Sequence, residues 1–321
     1  MARAARAAAL GALALGAAAG AHLWARHVEV DRFTLREETL RILPAGARSI
    51  RLLHISDIHL MPEQERKLEF LRFLGTLRPH LVIDTGDNIA SSASIAPLAE
   101  ALDPLLRRSG AFVMGSNDMY APGPKNPLRY FLPDPRPEGF VAEHRAADLP
   151  VESLAEVLGA HGWRDLTNTR ARIDLPGLRI QLVGVDDPHL ERDAMPSPEP
   201  DAEHARDRDD AGQQDPAAPV PPVLRLGVAH APYRRVLDAF TRDGADLLLA
   251  GHTHGGQLRL PGIGALVTNC DLPRTQARGL STWNGVPLHV SGGLGASPFS
   301  NYRLFNPPEA TLITLRASDR P

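Results

Sequence analysis

The chain has one cysteine, Cys270, in 321 residues, so no internal disulfide holds the fold and no structural zinc site can be built on two cysteine ligands. Lysine is nearly missing too, present only as Lys67 and Lys125, and arginine carries the basic charge. Net charge is close to absent: 35 basic against 38 acidic residues leave −3, which removes any general electrostatic case for nucleic-acid binding. No repeat with a period of roughly 20–50 residues is present, which excludes solenoids and propellers. Hydrophobic residues at 43% and charged ones at 23% are ordinary for a globular chain, long enough for one large α/β domain or two smaller ones, either with a substantial core. Histidine is in excess, with 13 residues.

The uncharged run Ala7 to Ala25, bounded by Arg3, Arg6 and Arg26, is about 19 residues of Ala, Gly and Leu with one His and one Trp. That length is marginal for a hydrocarbon core of roughly 30 Å. We expect residues 1–27 to form a membrane anchor, with a cleaved signal and a soluble Ala-rich helix as the alternatives. Arg residues on both sides leave the topology open.

From Ile50 onward, apolar strands alternate with helical patterns. Leu52-Leu53-His54-Ile55 precedes a helix over about 63–77, with Leu68, Leu71 and Leu74 three apart. Leu81-Val82-Ile83 precedes a helix over about 95–107, Ala111 to Met114 is a further strand, and strands resume at 223–228 and 246–250. This rhythm implies a largely parallel sheet, whose working residues sit beyond the strands' carboxyl ends. Residues 120–139, rich in Pro and Gly, read as an ordered insertion. Residues 188–222 hold eight prolines, nine acidic residues and three arginines. That composition reads as a disordered insertion and carries a local charge of −6, so the remainder is slightly basic.

Five strand ends finish in metal-binding residue types: Asp57-Ile58-His59, Gly86-Asp87-Asn88, Gly115-Ser116-Asn117-Asp118, His230, and Gly251-His252-Thr253-His254-Gly255-Gly256-Gln257. Any one is weak evidence; five at the same end of successive strands are not. The series resembles the calcineurin-like metallophosphoesterases, whose motifs run Asp-x-His, Gly-Asp, Gly-Asn-His-Asp/Glu, His and Gly-His-x-His. Gly-His-Thr-His-Gly-Gly-Gln and Pro308-Glu309-Ala310-Thr311-Leu312 most resemble a bacterial, often membrane-associated branch.

The resemblance implies a four-layer α/β/β/α sandwich over residues 49–316, with two mixed sheets and a dinuclear metal site at strand C-terminal ends. It implies Asp57, His59 and His254 on one ion, Asp87 bridging both, and His230, His252 and an amide oxygen from the third motif on the other. Such a mixed N/O set suits Mn, Fe or Zn better than Mg. The third motif departs from the family. Direct alignment puts Ser116 at the amide and Asn117 at the usual histidine acid, whereas a shift of one residue makes Asn117 the ligand. Asn117 is preferred, because a neutral hydroxyl is a poor ligand. Either way the histidine acid is missing, with His189 a weak substitute.

The expected activity is hydrolysis of a phosphoester, preferably a phosphodiester or pyrophosphate-type bond, by metal-activated hydroxide. Asp87, Asn117 and Asp118 are the candidate catalytic residues, although Asp118 can also serve as a loop anchor. The rival reading is a membrane-tethered metal-binding scaffold that has lost catalysis. A lipid or envelope phosphate is the expected substrate source, and a membrane-associated monomer the expected state. Of the remaining residues, His54 and His289 read as packing or supporting histidines. Arg303 reads as a structural ion pair or a phosphate contact, and Ser291-Gly292-Gly293-Leu294-Gly295 as a tight turn closing the site.

Overall fold

The computed structural model describes residues 1–123, 147–197 and 221–318. Strand β2 (Ile50–Ile55) pairs in parallel with β3 (Leu81–Asp84), and β3 with β4 (Ser109–Phe112), which in turn takes β5 (Arg164–Asp165). On the other side of β2 lies antiparallel β14 (Glu309–Ala317), and beyond it parallel β1 (Thr34–Leu43), giving the order β1-β14-β2-β3-β4-β5. The second sheet is β12-β13-β9-β8-β7-β6. Its parallel core is β7 (Leu178–Gly184), β8 (Val223–Ala229), β9 (Leu247–Ala250) and β13 (Val286–Val290), flanked by antiparallel β6 (Arg170–Leu175) and β12 (Gly279–Trp283).

Three apolar layers hold these elements together, and they define the four-layer α/β/β/α sandwich. The inner faces meet through Leu52, Ile83 and Ile313 of the first sheet and Ile180, Leu226 and Leu249 of the second. Helices α2 (Glu65–Thr76), α3 (Ile95–Leu106) and α5 (Val151–Gly159) cover the outer face of the first sheet. In α2 the buried side is Leu68, Leu71 and Leu74, the spacing that marked the helix. Helix α6 (Arg234–Arg242) covers the second sheet through Val236, Leu237 and Phe240. Because β2, β3 and β4 run parallel, as do β8 and β9, their carboxyl ends emerge at the same rim.

Three expectations need correction. The fold begins before residue 49, because β1 pairs with β14 from Thr34–Glu309 onward. Its sequence, TLREETLRIL, is charged and mostly half-exposed, so it lacks the apolar signature of a buried strand. Residues 188–197, the front of the segment expected to be disordered, are folded. A 3₁₀ turn spans Pro188–Leu190, Arg192 pairs with Asp186 at 2.8 Å, and Arg170 donates to the Ser197 carbonyl at 2.9 Å. The expectations for 124–139 and 198–220 fall outside the described residues.

The third correction concerns the anchor. The segment is indeed a helix, α1 (Ala2–His27), but among the described residues no helix is long and apolar enough to cross a membrane. Ala and Gly dominate it, and alanine contributes little transfer energy. The large apolar groups of this helix, Leu10, Leu13, Leu15, Leu23 and Trp24, lie exposed.

Candidate metal centre

The rim gathers side chains from both sheets. Asp57 and His59 follow β2, Asp87 follows β3, His230 follows β8, and His252 and His254 follow β9. Five of these six sit in left-handed backbone conformations: Asp57 (φ 50°), His59 (φ 44°), Asp87 (φ 58°), His252 (φ 68°) and His254 (φ 49°). Each such residue costs roughly 1–2 kcal/mol against ordinary geometry, and strain of this kind collects at functional sites. Tertiary hydrogen bonds hold it in place. Asp57 N donates to Gly86 O at 2.8 Å, His59 N to Asp87 O at 2.9 Å, and His252 N reaches across the sheets to the Asp57 carboxylate at 3.0 Å.

The side chains converge on two adjoining points. One ligand atom from each of Asp57, His59, Asp87 and His254 lies within 4.8 Å of the others. His59 Nε2 and His254 Nε2 face each other at 3.3 Å, and His254 Nε2 is 3.6 Å from Asp57 Oδ1. Asp87 Oδ2 is 3.4 Å from His59 Nε2 and 3.5 Å from His230 Nε2. On the far side, His230 Nε2 faces His252 Nδ1 at 3.3 Å.

The ring nitrogens turned away from the centre are tied down. His230 Nδ1 donates to Thr85 O at 2.7 Å, His254 Nδ1 to Gly295 O at 3.0 Å, and His252 Nε2 to Asn269 O at 3.1 Å. Such bonds select the tautomer that leaves the inward nitrogen bare, as metal ligation requires. His59 Nδ1 is buried with no partner among the described residues. A cation placed between these facing nitrogens would fit the donor set.

The electrostatics agree. Burial pushes His59, His252 and His254 below the usual imidazole range, so they stay neutral. Burial would raise the Asp87 carboxyl, but His230, His59 and the Asn117 amide hold it well below the usual carboxylate range. His230 runs the other way: despite its burial, Asp87 and Asp187 raise it to about 10. A metal ligand must be unprotonated, so cation binding at His230 displaces a proton.

The third motif opens with Gly115, the cap of the short helix α4 (Ser116–Met119). Asn117 turns inward: its backbone N donates to Asp87 Oδ1 and its Nδ2 to Asp87 Oδ2, both at 2.7 Å. Ser116 Oγ has only a 3.4 Å contact with that amide. Asp118 does not face the centre with a free oxygen. Oδ2 accepts from Asp87 N (2.8 Å) and Gly115 N (3.0 Å), and Oδ1 from Asn88 N (2.6 Å) and Ile89 N (3.2 Å). This is the loop-anchor alternative, which leaves Asp118 no oxygen for substrate. Burial and the neighbouring Asp87 push its carboxyl up to about 7, against the pull of those amides.

Gly115 has φ −111°, so space rather than conformation excludes a side chain. A Cβ there would lie 2.2 Å from Asp87 Oδ1 and 2.7 Å from His230 Cε1. Gly115→Ala is therefore expected to lose metal and to cost about 1–3 kcal/mol, the usual range for overpacking. Metal analysis of the purified variant together with a thermal melt checks this; full metal content with an unchanged melt contradicts it.

Several supporting residues carry no motif. Buried Lys67 donates to Ile58 O at 2.6 Å and Gln64 Oε1 at 2.8 Å, bracing the Asp57–His59 loop from behind, and burial lowers its ammonium to about 7. Spacing does place Lys67 on the buried face of α2, one and two turns before Leu71 and Leu74, but its charge hides it from a reading of the apolar pattern. His54 Nδ1 meets His289 Nδ1 at 2.8 Å, and His54 Nε2 meets Thr85 Oγ1 at 3.0 Å, so this pair supports the residue whose carbonyl accepts from the His230 ring. Arg303 is buried with its guanidinium on backbone carbonyls, which makes it structural rather than a phosphate contact. The Ser291–Gly295 turn does close the site, with Leu294 N donating to Ser56 O at 3.0 Å.

A cavity of about 250 Å³ opens over the centre, lined by His59, Asp87, Asn117, His252 and His254 and farther out by Leu266, Val267 and Tyr302. His189 lies on its wall, with Nδ1 3.0 Å from Tyr233 Oη and its ring 4.5 Å from that of His252. Among the described residues no lysine or arginine lines this cavity.

The sequence profile of the family described as calcineurin-like phosphoesterase matches residues 50–256. The uncharacterized metallophosphoesterase YkuE of Bacillus subtilis is 24% identical over 317 residues, spanning 96% of this chain and 95% of its own. Phosphodiesterase YaeI of Escherichia coli is 24% identical over 295 residues, spanning 90% of each chain. A transmembrane protein with metallophosphoesterase domain from Bos taurus is 29% identical over 248 residues, spanning 74% of this chain and 47% of its own.

Proposed function

The chain belongs to the calcineurin-like phosphoesterase family, and on that premise we propose that it cleaves a phosphodiester or pyrophosphate-type bond at a two-metal centre. Membership makes it a phosphoric ester hydrolase; the bond type and the residue roles are our reading. The observation that carries it is the position of Asp87, whose Oδ2 faces His59 of one cluster and His230 of the other at 3.4 and 3.5 Å. One carboxylate shared by two nitrogen groups is what a bridging ligand requires.

In this reading Asp57, His59 and His254 would hold the first ion, and His230 and His252 the second, with the Asn117 side-chain amide joining them once it turns its oxygen rather than Nδ2 inward. Mn, Fe and Zn suit the mixed imidazole and carboxylate set. The ions supply Lewis acidity, which acidifies a water and neutralises charge on the phosphate oxygens. The protein's own part is to fix geometry. Asp118 aims the Asp87 and Asn117 loops, Lys67 braces the Asp57–His59 loop, and Leu266, Val267 and Tyr302 shape the wall against the organic group of the substrate. With only cavity residues of neutral charge beyond the ligands, a singly charged diester fits better than a polyphosphate.

The third motif has no histidine to protonate the leaving oxygen, help typically worth roughly 10²–10⁴-fold. Aryl phosphodiesters are therefore expected to turn over at least about 100-fold faster than alkyl phosphodiesters in metal-loaded protein. Equal rates in a steady-state assay contradict this reading. The substrate source we favour is a lipid or envelope phosphate. It is supported by the exposed leucines of α1 and by relatives that carry the domain in transmembrane proteins. The same assay extended to phosphomonoesters, pyrophosphates and phospholipids distinguishes these classes.

A further inference from the structure

The geometry points to the junction after α1, Trp24 to Glu29, as a latch that positions the metal ligand His254. This rests on the two-metal reading above. Two separate routes lead from the junction to that one residue.

The first route runs through Glu29, a carboxylate only 3% exposed. It accepts from Trp24 Nε1 at 3.0 Å and from the backbone N of Asn306. Asn306 is fully buried, and its Nδ2 donates to the carbonyl of His254 at 2.6 Å. Arg278 donates to Asn306 Oδ1 at 2.8 Å, which fixes the orientation of that amide.

The second route begins at the last buried residue of α1. Ala25 O accepts from Arg303 N at 2.9 Å. The Arg303 guanidinium donates to Gly292 O at 2.7 Å, Gly293 O at 3.0 Å and Gly295 O at 2.5 Å. Gly295 O also accepts from His254 Nδ1, and Gly295 N donates to Asp57 O at 2.6 Å. Residues 303–306 therefore hold both the peptide carbonyl and the imidazole of His254, and residues 25–29 hold 303–306.

His254 needs such support, since its φ of 49° is one a non-glycine residue keeps only when its surroundings impose it. Outer-shell contacts of this kind typically change metal affinity by roughly 10–100-fold. The N-terminal segment is thus a working part of the first metal site, and its arrangement sets how tightly that site binds.

The test uses the full chain with Glu29→Gln, Glu29→Ala and Trp24→Phe. Mn²⁺ binding is followed by calorimetry, and the site is read independently from the visible absorption of Co²⁺. The Glu29 variants are expected to weaken one of two binding events by about 10–100-fold and to alter the Co²⁺ spectrum, leaving the other event unchanged. Trp24→Phe removes the indole N–H together with part of a half-exposed ring, and is expected to shift the same event by a smaller factor. Turnover should recover at saturating metal. Unchanged affinities in all three variants overturn the latch, as does equal weakening of both events in step with a lowered melting temperature. A parent protein that binds fewer than two ions overturns the metal-centre reading itself, a result distinguishable from failure of the latch.

Discussion

Asp87→Asn is expected to abolish hydrolysis and to leave the protein with fewer than two bound ions. The substitution preserves shape, so the expected loss comes from charge. Although buried, Asp87 is held ionised by His230, His59 and the Asn117 amide, and its Oδ2 lies within 3.5 Å of both imidazoles. A neutral amide cannot serve two cations, and it withdraws the charge that raises His230 to about 10. The backbone bond from residue 87 to Asp118 at 2.8 Å does not involve the replaced side chain, so the loop should persist. Activity is expected to fall well beyond the roughly 10–100-fold of an outer-shell change. Steady-state turnover with added metal and elemental analysis check this; activity within tenfold of the parent rules out Asp87 as the bridge.

Asp118→Ala is expected to give the largest loss of stability among single changes at the rim. The carboxylate accepts four backbone N–H groups, from Asp87, Asn88, Ile89 and Gly115. A buried donor left unpaired costs about 1–3 kcal/mol, so four of them imply roughly 4 kcal/mol or more even if water replaces some. For a chain of 321 residues that lowers the melting temperature by about 6 °C or more, at roughly 1.5 °C per kcal/mol. Asp118→Asn keeps one acceptor oxygen but turns an N–H₂ toward two N–H donors, so it should fall between parent and Ala. Denaturant unfolding measures the difference, and a loss below about 1 kcal/mol would show that the amides find other partners. The expected effect on turnover is indirect, through the Asp87 and Asn117 loops, so the pH profile of kcat should keep its shape in Asp118→Asn.

Much of the architecture is legible in the chain. Leu52 to Ile55, Leu81 to Ile83 and Leu247 to Leu249 read as strands because both their faces are buried, and such strands are continuously apolar. The ligands read as a set because each follows one of those runs. Strand β1 is hidden in the sequence for the opposite reason: an edge strand with one wet face carries Arg36, Glu37, Glu38 and Arg41 and resembles a charged linker. Among the described residues no helix is long and apolar enough to cross a membrane, because an uncharged run of alanine and glycine is not the same as an apolar one.

The third motif shows where local order stops being enough. Sequence leaves Ser116 and Asn117 as rival inward groups, and it offers Asp118 either as a catalytic residue or as an anchor. Their roles depend on the direction of a single turn of helix packed against the Gly86–Asp87 loop, a contact between segments about 30 residues apart. Asn117 lies 2.7 Å from Asp87 at both oxygens, and Asp118 is saturated by amides.

By itself, then, the sequence determined the alternation of strands and helices, the rim on which the chemistry lies and the residue types of the metal centre, while the four-layer order was implied by the family resemblance of its motifs. Hydrophobic period and strand direction are local properties, and they place successive strand ends together. Tertiary structure alone decided which nitrogen of each histidine faces inward, which carboxylate is shared, and that Lys67, Asn306 and Glu29 stand behind the site. Those outcomes rest on single hydrogen bonds between distant segments, some more than 250 residues apart, such as Glu29 with Asn306. Residue type permits such bonds, but only packing of the whole chain selects them.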